Sequence, residues 1–191
     1  INGTGSSYTW MRKNLAFSGY QQMNELAATA PPGSRGLSFF PFGNGAERVL
    51  VNRNPGASLQ GLDYNTHDRA DMARVVQEGV AYALRYGMDI MESMQMPVKV
   101  MRAGHANMFL SPVFRQALAN VSGALIEIYE TDGAQGAARA AGVGAGYYSS
   151  YQESFRGLRQ IMLEEPDARL CSRYQELYAD WKQALERSLA T

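Results

Sequence analysis

The stretch from Val100 to Gly123, VMRAGHANMFLSPVFRQALANVSG, gives the strongest indication of the fold. Its first residues continue an apolar strand, VKVMRAG (98–104), and a turn of small residues follows with Gly104, His105 and Asn107. The remainder has the periodicity of an amphipathic helix. Strand, glycine turn and helix in this order are typical of α/β proteins, which often bind a ligand just beyond the strand. The turn contains neither G-K-[ST] nor G-x-G-x-x-G, so it matches no standard phosphate loop.

The segments after the turn continue the α/β pattern. A helix is predicted from Ser111 to Ser122, with Ser111 as its N-cap and Pro112 at its first position. A second strand, ALIEIYE (124–130), precedes a helix made almost wholly of alanine and glycine, TDGAQGAARAAGVGAGYY (131–148). Two polar helices, 151–163 and 172–189, are predicted to close the chain.

The segments before the turn are less regular. A helix is predicted over 8–28, and the breaker cluster TAPPGSRG (29–36) ends it. A short aromatic strand, GLSFFPF (36–42), leads into a predicted long loop over 43–61. A core helix of about 28 residues then begins at Thr66, its expected N-cap, and stops before Pro97.

Composition excludes several classes of function. The 191 residues suffice for one well-buried domain, and 18 basic against 18 acidic residues leave no net charge to attract nucleic acid or an anionic membrane. No apolar run is long enough to span a bilayer and no signal pattern begins the chain, so a cytoplasmic protein is expected. One cysteine and two histidines provide neither an internal disulfide nor a structural zinc site.

The turn after the strand has two readings. Ala103, Gly104 and Ala106 leave the backbone bare, which suits either close packing or contact with a ligand. The turn has no lysine to neutralise a triphosphate, so an adenosine packed edge-on fits better than a phosphate cradle. His105 has no carboxylate or nucleophile beside it in sequence, so it is more simply a structural residue than a catalyst.

The loop over 43–61 is a second candidate. The backbone amides of Gly43 and Gly45 could contact phosphate, or the loop could be a solvated excursion, and composition does not decide between them. The sequence has no G-x-S-x-G, H-E-x-x-H or C-x-x-C motif. The residues alone therefore indicate an α/β domain with a plausible ligand turn, no catalytic residue and no metal ligand.

The order of segments adds a resemblance. The run FFPFGNGAERVLVNRNPGASLQGLDYNTHDRADMARVVQEGVAYALRYGMDIM (39–91) resembles the C-terminal domain of the FGGY family of carbohydrate kinases, including its Arg-x-x-x-Glu-Gly helix at Arg74, Glu78 and Gly79. RAGHANMFLSPVFRQALANVSG (102–123) is similar to the family's adenosine turn, and DGAQGAARAAGVGAG (132–146) to its closing Gly-Ala helix. YQELYADWKQAL (174–185) looks like the last helix of the xylulose kinase branch.

This resemblance implies an actin-like, ribonuclease H-like ATPase fold with a central mixed sheet flanked by helices. Residues 1–191 would be the C-terminal, nucleotide-binding domain of a sugar kinase. ATP with Mg²⁺ and the sugar, expected to be D-xylulose, would meet in the cleft between this domain and an N-terminal domain. The general-base aspartate belongs to that absent domain, so the isolated chain is expected to be inactive. The expected nucleotide contacts are Gly104, His105, Ala106, Asn107, Gln116, Gly43 and Gly45.

Some positions depart from the family pattern. The usual Gly-Gly-Gly turn is Ala103, Gly104 and His105 here, and about three extra residues separate it from the next helix. These changes fall on the expected nucleotide contacts and not on the elements that indicate the fold. A different class of function also fits: a non-catalytic, actin-like ATP-binding module for interaction or regulation. Apolar residues on the last helix, Leu177, Trp181 and Leu185, could serve either the core or a homodimer contact.

Overall fold

The computed structural model of the chain describes residues 1–190. Its α-helices and strands, in chain order, are α1 (Thr4–Asn14), α2 (Tyr20–Ala27), β1 (Ser38–Phe40), β2 (Ser58–Gln60), α3 (Arg69–Ser93), β3 (Val100–Gly104), α4 (Pro112–Ser122), β4 (Leu125–Tyr129), α5 (Gly133–Gly144), α6 (Tyr151–Ser154), β5 (Gln160–Glu164) and α7 (Ala168–Ala190).

A mixed three-stranded sheet lies beside the helices, in the order β3-β4-β5. Strands β3 and β4 run parallel, with Val100 opposite Leu125, and α4 forms the crossover between them. Strand β5 pairs antiparallel with β4. The predicted central mixed sheet flanked by helices is therefore confirmed.

The turn from β3 into α4 forms as its local signals predict. Pro112 is the first residue of α4, and the side chain of the N-cap Ser111 accepts a hydrogen bond from the Phe114 amide. Gly123 ends the helix in the left-handed conformation, as a C-terminal glycine commonly does.

The predicted helix over 8–28 is wrong in its extent. The chain forms two helices, α1 and α2, separated by a segment in which Ala16 has a positive φ of 51° and Gly19 is extended. Alanine carries no sequence signal for a positive φ, so tertiary packing imposes this break. Because of the break, α2 folds back so that residues of both helices line one cleft.

The predicted helix over 151–163 is also mostly wrong. Only Tyr151–Ser154 is helical, and after Gly157, with φ of 80°, the chain enters strand β5. The predicted loop over 43–61 likewise contains strand β2, which pairs antiparallel with β1 so that Phe39 lies opposite Leu59. Short strands of this kind depend on a partner distant in sequence, which local patterns do not reveal.

Helix α3 begins later than predicted, with Asp68 rather than Thr66 as its N-cap. The Asp68 carboxylate accepts hydrogen bonds from the amides of Ala70 and Asp71, and the Asp71 side chain accepts one from the Asp68 amide. This reciprocal arrangement is a capping box with aspartate at its third position. The helix ends at Ser93, short of Pro97.

The core lies between α3, α7, α4 and the β1–β2 ribbon. Trp181 is buried, stacks on Phe40 with ring centroids 5.2 Å apart, and donates its indole N–H to the Phe39 carbonyl at 2.9 Å. Leu185 is buried in the same cluster, and Leu177 packs against it. These residues of α7 therefore serve the core, and a homodimer stays a prediction.

A buried ion pair within α3 is hydrogen-bonded to the segment before β1. The Arg74 guanidinium lies 2.8 Å from the Glu78 carboxylate, which also accepts hydrogen bonds from the Gly33 amide and the Ser34 hydroxyl at 3.1 Å. Tyr174 of α7 donates its hydroxyl to Glu78, and burial raises the pKa of that phenol, so the donor stays protonated. The Arg-x-x-x-Glu-Gly segment thus has a structural role.

Gly79, the next residue in that segment, allows the helix to approach the ribbon. A Cβ at this position would lie 2.3 Å from the carbonyl oxygen of Phe39. Only glycine fits without a shift of the backbone, which explains the glycine on an otherwise apolar helix face.

Candidate functional site

The turn after β3 is held by backbone contacts with the neighbouring strand. The amide of His105 donates to the carbonyl of Tyr129 at 2.9 Å, and the amide of Ala106 donates to the carbonyl of Gly104 at 2.8 Å. Asn107 then has a positive φ of 52°, which asparagine adopts more readily than most residues. The chain is thereby directed away from the sheet and toward α1.

A cleft of about 830 Å³ lies between this turn and the first two helices. Its size is within the range of small-molecule sites, and it lies beyond the carboxyl end of a parallel strand, where open α/β sheets bind ligands. The residues that line it are Gly5, Tyr8, Thr9, Tyr20, Gln21, Asn24, Glu25, Ala28, Asn107, Met108, Leu110, Pro112 and Val113.

Two stacked tyrosines line the cleft. The rings of Tyr8 and Tyr20 are stacked, with centroids 5.3 Å apart and an interplanar angle of 15°. The Tyr20 hydroxyl shares a hydrogen bond with Thr9 at 2.8 Å, and Arg12 lies over the Tyr20 ring at 5.0 Å from its centroid. The Thr9 hydrogen bond, with a smaller contribution from Arg12, lowers the pKa of Tyr20. Tyr20 remains 42% exposed.

The charged side chains of the cleft affect which kind of ligand it can accept. Among its lining residues in the part of the chain that the structure describes, Glu25 is the one charged side chain, and no lysine, arginine or histidine is present. Glu25 accepts a hydrogen bond from the Gln21 amide at 2.9 Å. A polyphosphate placed beside this carboxylate would be repelled, whereas a neutral heterocycle would not.

The amino end of α1 contributes a different kind of group. Gly5, in the first turn of α1, lines the cleft, and the N-cap Gly3 supplies no side-chain cap to the free amides. Such amides, together with the helix dipole, favour negative charge. The cleft therefore has an aromatic, uncharged wall and, at α1, an end suited to an anion.

The seven predicted contact residues are not all brought together. Asn107 lines the cleft, and Gly104, His105 and Ala106 form the turn that leads into it, with His105 exposed. Gln116 does not line it, since its amide lies 3.4 Å from both the Asn120 side chain and the Glu165 carbonyl.

The two glycines of the 43–61 loop lie elsewhere. Gly43 lines a second pocket of about 520 Å³ against the other side of α1, together with Trp10 and Leu59. Gly45 is exposed with φ of 92°, and it lines neither pocket. Phosphate contact by these two glycines stays a prediction.

Sequence reasoning missed the wall made by α1 and α2. Tyr8, Thr9, Tyr20 and Asn24 had been assigned to one continuous helix, which would have carried Tyr20 and Asn24 away from Tyr8. The glycine in "FSGYQ" (17–21) was the available signal for a break. Proximity of this wall to Asn107 is a tertiary contact that no local pattern encodes.

No carboxylate cluster suited to a metal is found within residues 1–190. The structure groups no three histidine, cysteine, aspartate or glutamate side chains at one point of this range. Magnesium in phosphoryl-transfer sites is commonly held by one or two carboxylates with the substrate phosphates. Glu25 is the one carboxylate among the residues that line the cleft, so the cleft by itself offers at most one protein ligand. Within the same range, no helix is both long and apolar enough to cross a membrane.

Comparison with known proteins places the chain in a family. The pattern of the FGGY family of carbohydrate kinases, C-terminal domain, matches residues 1–145. The xylulose kinase of Haemophilus influenzae is 34% identical over 123 residues, which are 63% of this chain and 24% of that protein.

Solved structures agree in fold. The xylulose kinase of Rhodospirillum rubrum superimposes with a TM-score of 0.76 at 25% identity, covering 97% of this chain and 38% of that one. The glycerol kinase of Plasmodium falciparum, solved with ADP, gives a TM-score of 0.75 at 22% identity, covering 97% and 37%. This chain thus spans well under half the length of the proteins it matches, and its fold is the actin-like ATPase fold. The chain belongs to the FGGY family of carbohydrate kinases and corresponds to their C-terminal domain.

Proposed function

We propose that residues 1–191 are the nucleotide-binding domain of an ATP-dependent sugar kinase, and that the cleft takes the adenosine end of ATP. The observation that carries this proposal is the cleft itself, which has stacked tyrosines and Asn107 at the carboxyl end of a parallel strand. An aromatic wall suits a base. No cation is among the lining residues to favour a triphosphate, and the nearby Arg12 lies over the Tyr20 ring.

The orientation of the nucleotide follows from charge. With the base against Tyr20 and near α2, the phosphates would leave the cleft away from Glu25 and toward the free amides at the start of α1, near Gly5. In this arrangement Gly104, His105 and Ala106 hold the turn, and Asn107 is the member of that turn in contact with the nucleotide.

Three of the predicted nucleotide contacts, Gln116, Gly43 and Gly45, have less structural support than Asn107. Gln116 would have to leave Asn120 and Glu165 to reach a ligand in the cleft. Gly43 and Gly45 do not line the cleft, although Asn44 between them packs against Gly3 at the start of α1. They are consequently secondary candidates for phosphate contact.

The proposed reaction moves the γ-phosphoryl group of ATP to a sugar hydroxyl, which loses its proton to a general base while ADP leaves. The similarity to xylulose kinases supports D-xylulose as the sugar and xylulose 5-phosphate as the product. The base and most of the sugar site would lie in an N-terminal domain outside this chain, so the chain alone would not phosphorylate sugar. Such chemistry depends mainly on positioning and charge stabilisation, which two closing domains can provide.

Within residues 1–190 no group of three carboxylate, histidine or cysteine side chains could hold Mg²⁺ without the nucleotide. In this proposal Mg²⁺ would arrive with the ATP phosphates and would be held by residues outside the chain. The cytoplasmic location likewise stays a prediction.

The experiment is a paired measurement on the complete protein that carries this chain. Calorimetric titration with ATP should show saturable binding, and a coupled assay over pentuloses, hexuloses and polyols should show ADP release with D-xylulose. ATP binding without sugar-dependent ADP release would favour the non-catalytic actin-like module instead. Absence of ATP binding would contradict both functions.

A further inference from the structure

The hydroxyl of Tyr8 is hydrogen-bonded to the side-chain oxygen of Asn24, across the break between α1 and α2. Both residues line the cleft. Tyr8 is buried and Asn24 is partly exposed, so the contact lies where the cleft wall meets the core. The contact therefore fixes a polar group of α2 at the surface that a ligand in the cleft would touch.

The direction of this hydrogen bond sets the orientation of the Asn24 amide. Burial raises the pKa of the Tyr8 phenol, so its hydroxyl remains a protonated donor over the working pH range. The Tyr8 hydroxyl donates to the Oδ1 atom of Asn24. The Nδ2 group of Asn24, with its two N–H donors, is therefore free of that contact. The wall made by α2 thus presents an amide donor.

The neighbouring polar groups of α2 are of the opposite kind. Glu25 is a carboxylate acceptor, and Gln21 donates its own amide N–H to Glu25 at 2.9 Å. Gln21 therefore has one of its two side-chain N–H donors engaged with Glu25, whereas both N–H donors of Asn24 are free of the Tyr8 contact. Asn24 is consequently the group on this helix best placed to donate to a ligand.

We propose that Asn24 recognises the base, by donating its Nδ2–H to a ring nitrogen of adenine, and that Tyr8 is the positioning residue that holds the amide in this orientation. This inference rests on the proposed function, since it concerns the nucleotide of the same cleft. Adenine in a nucleotide has three ring nitrogens that accept hydrogen bonds, and its exocyclic amine donates. An amide turned the other way would place its oxygen against the lone pair of that nitrogen, which is repulsive.

The test uses ATP and its 1-deaza, 3-deaza and 7-deaza analogues, titrated into the complete protein. Each analogue replaces one ring nitrogen with C–H and leaves the rest of the nucleotide unchanged. Asn24→Leu should weaken ATP binding by about two- to tenfold, the range expected for one hydrogen bond. For the one analogue that lacks the recognised nitrogen, the same substitution should leave the affinity unchanged. An equal loss of affinity for all four nucleotides would overturn the proposal.

Tyr8→Phe provides a second variant that keeps the ring and its stacking on Tyr20. It should reduce ATP affinity by a smaller factor than Asn24→Leu, with the same dependence on the analogue. Tyr64→Phe, which removes a hydroxyl from a side chain that is 91% exposed, is the matched control and should bind all four nucleotides as the wild type does. If Tyr8→Phe lost affinity equally for every analogue, the positioning role would be excluded.

Failure of this inference is distinguishable from failure of the proposed function. Wild-type protein that binds none of the four nucleotides would overturn the function itself. Wild-type protein that binds ATP, with both variants indifferent to the ring nitrogens, would overturn only the assignment of Asn24 and Tyr8.

Discussion

Gly104 lies against the backbone of Thr131, so closely that a Cβ on Gly104 would be 2.5 Å from the Thr131 carbonyl oxygen. This contact joins the turn after β3 to the turn after β4, just before α5. The sequence leaves two interpretations of this glycine, close packing and contact with a ligand. The contact with Thr131 gives close packing a direct structural cause. The same contact places Asn107 indirectly, because it fixes the turn from which Asn107 projects.

Gly104→Ala should lower the free energy of unfolding by about 1–3 kcal/mol, because the added methyl group forces the two turns apart. Urea unfolding monitored by circular dichroism would measure this change. Gly136→Ala is the matched control within α5, where a Cβ meets nothing within 4 Å. It should be neutral or stabilise by up to about 1 kcal/mol. Equal stability of Gly104→Ala and the wild type would contradict the packing role.

Glu78→Gln should destabilise the chain by about 3–5 kcal/mol, since it leaves the Arg74 guanidinium buried without a counter-charge. The measurement is the same unfolding titration. Arg159→Met is the control, because the Arg159–Glu130 pair is mostly exposed and its loss should change stability little. A Glu78→Gln protein as stable as this control would show that the buried pair is dispensable.

Stability should fall in acid in part through Asp68. Hydrogen bonds from the Ala70 and Asp71 amides hold the pKa of this carboxyl below its ordinary value of 3.8. A group with a lowered folded-state pKa stabilises the fold fully above the unfolded value, and this contribution is lost as the pH falls through the folded value. Asp68→Asn, which keeps a capping side chain but does not titrate, should therefore show a shallower loss of stability below about pH 4. Parallel acid profiles for the two proteins would exclude this cause.

Tyr20→Ala in the complete protein should weaken ATP binding by roughly tenfold or more, because stacking of a base on an aromatic ring contributes about 1–3 kcal/mol. Tyr20→Phe should retain most of the affinity, since the ring remains. Calorimetry would measure both, with Tyr147→Ala as the control, because Tyr147 is 80% exposed and lies outside the cleft. Identical affinities for Tyr20→Ala and Tyr147→Ala would place the base elsewhere.

Local sequence signals account for the parts of the fold that were predicted correctly. Ser111, Pro112 and Gly123 act through their own turns, so α4 could be predicted with correct bounds, while the strand before it begins two residues later than predicted. The break at Ala16 and the strand Gln160–Glu164 depend on contacts distant in sequence, and both were predicted as helix.

The residues of the candidate site likewise fall into two groups, those that the sequence could predict and those that it could not. Asn107 could be predicted, because it follows a strand and a glycine turn. Tyr8, Tyr20 and Asn24 could not, because Gly19 signals a break in the helix but not the direction in which α2 turns, and their approach to Asn107 is a contact distant in sequence. The resemblance to a known family supplied the fold as a whole, but it did not indicate these side chains.

The most direct test of the central claim is a crystal structure of the complete protein with ADP. The adenine ring should lie in the cleft against Tyr20, near Asn24 and Asn107, with the phosphates directed toward the start of α1 at Gly5 and away from Glu25. A nucleotide bound elsewhere, with this cleft empty of the base, would contradict the claim.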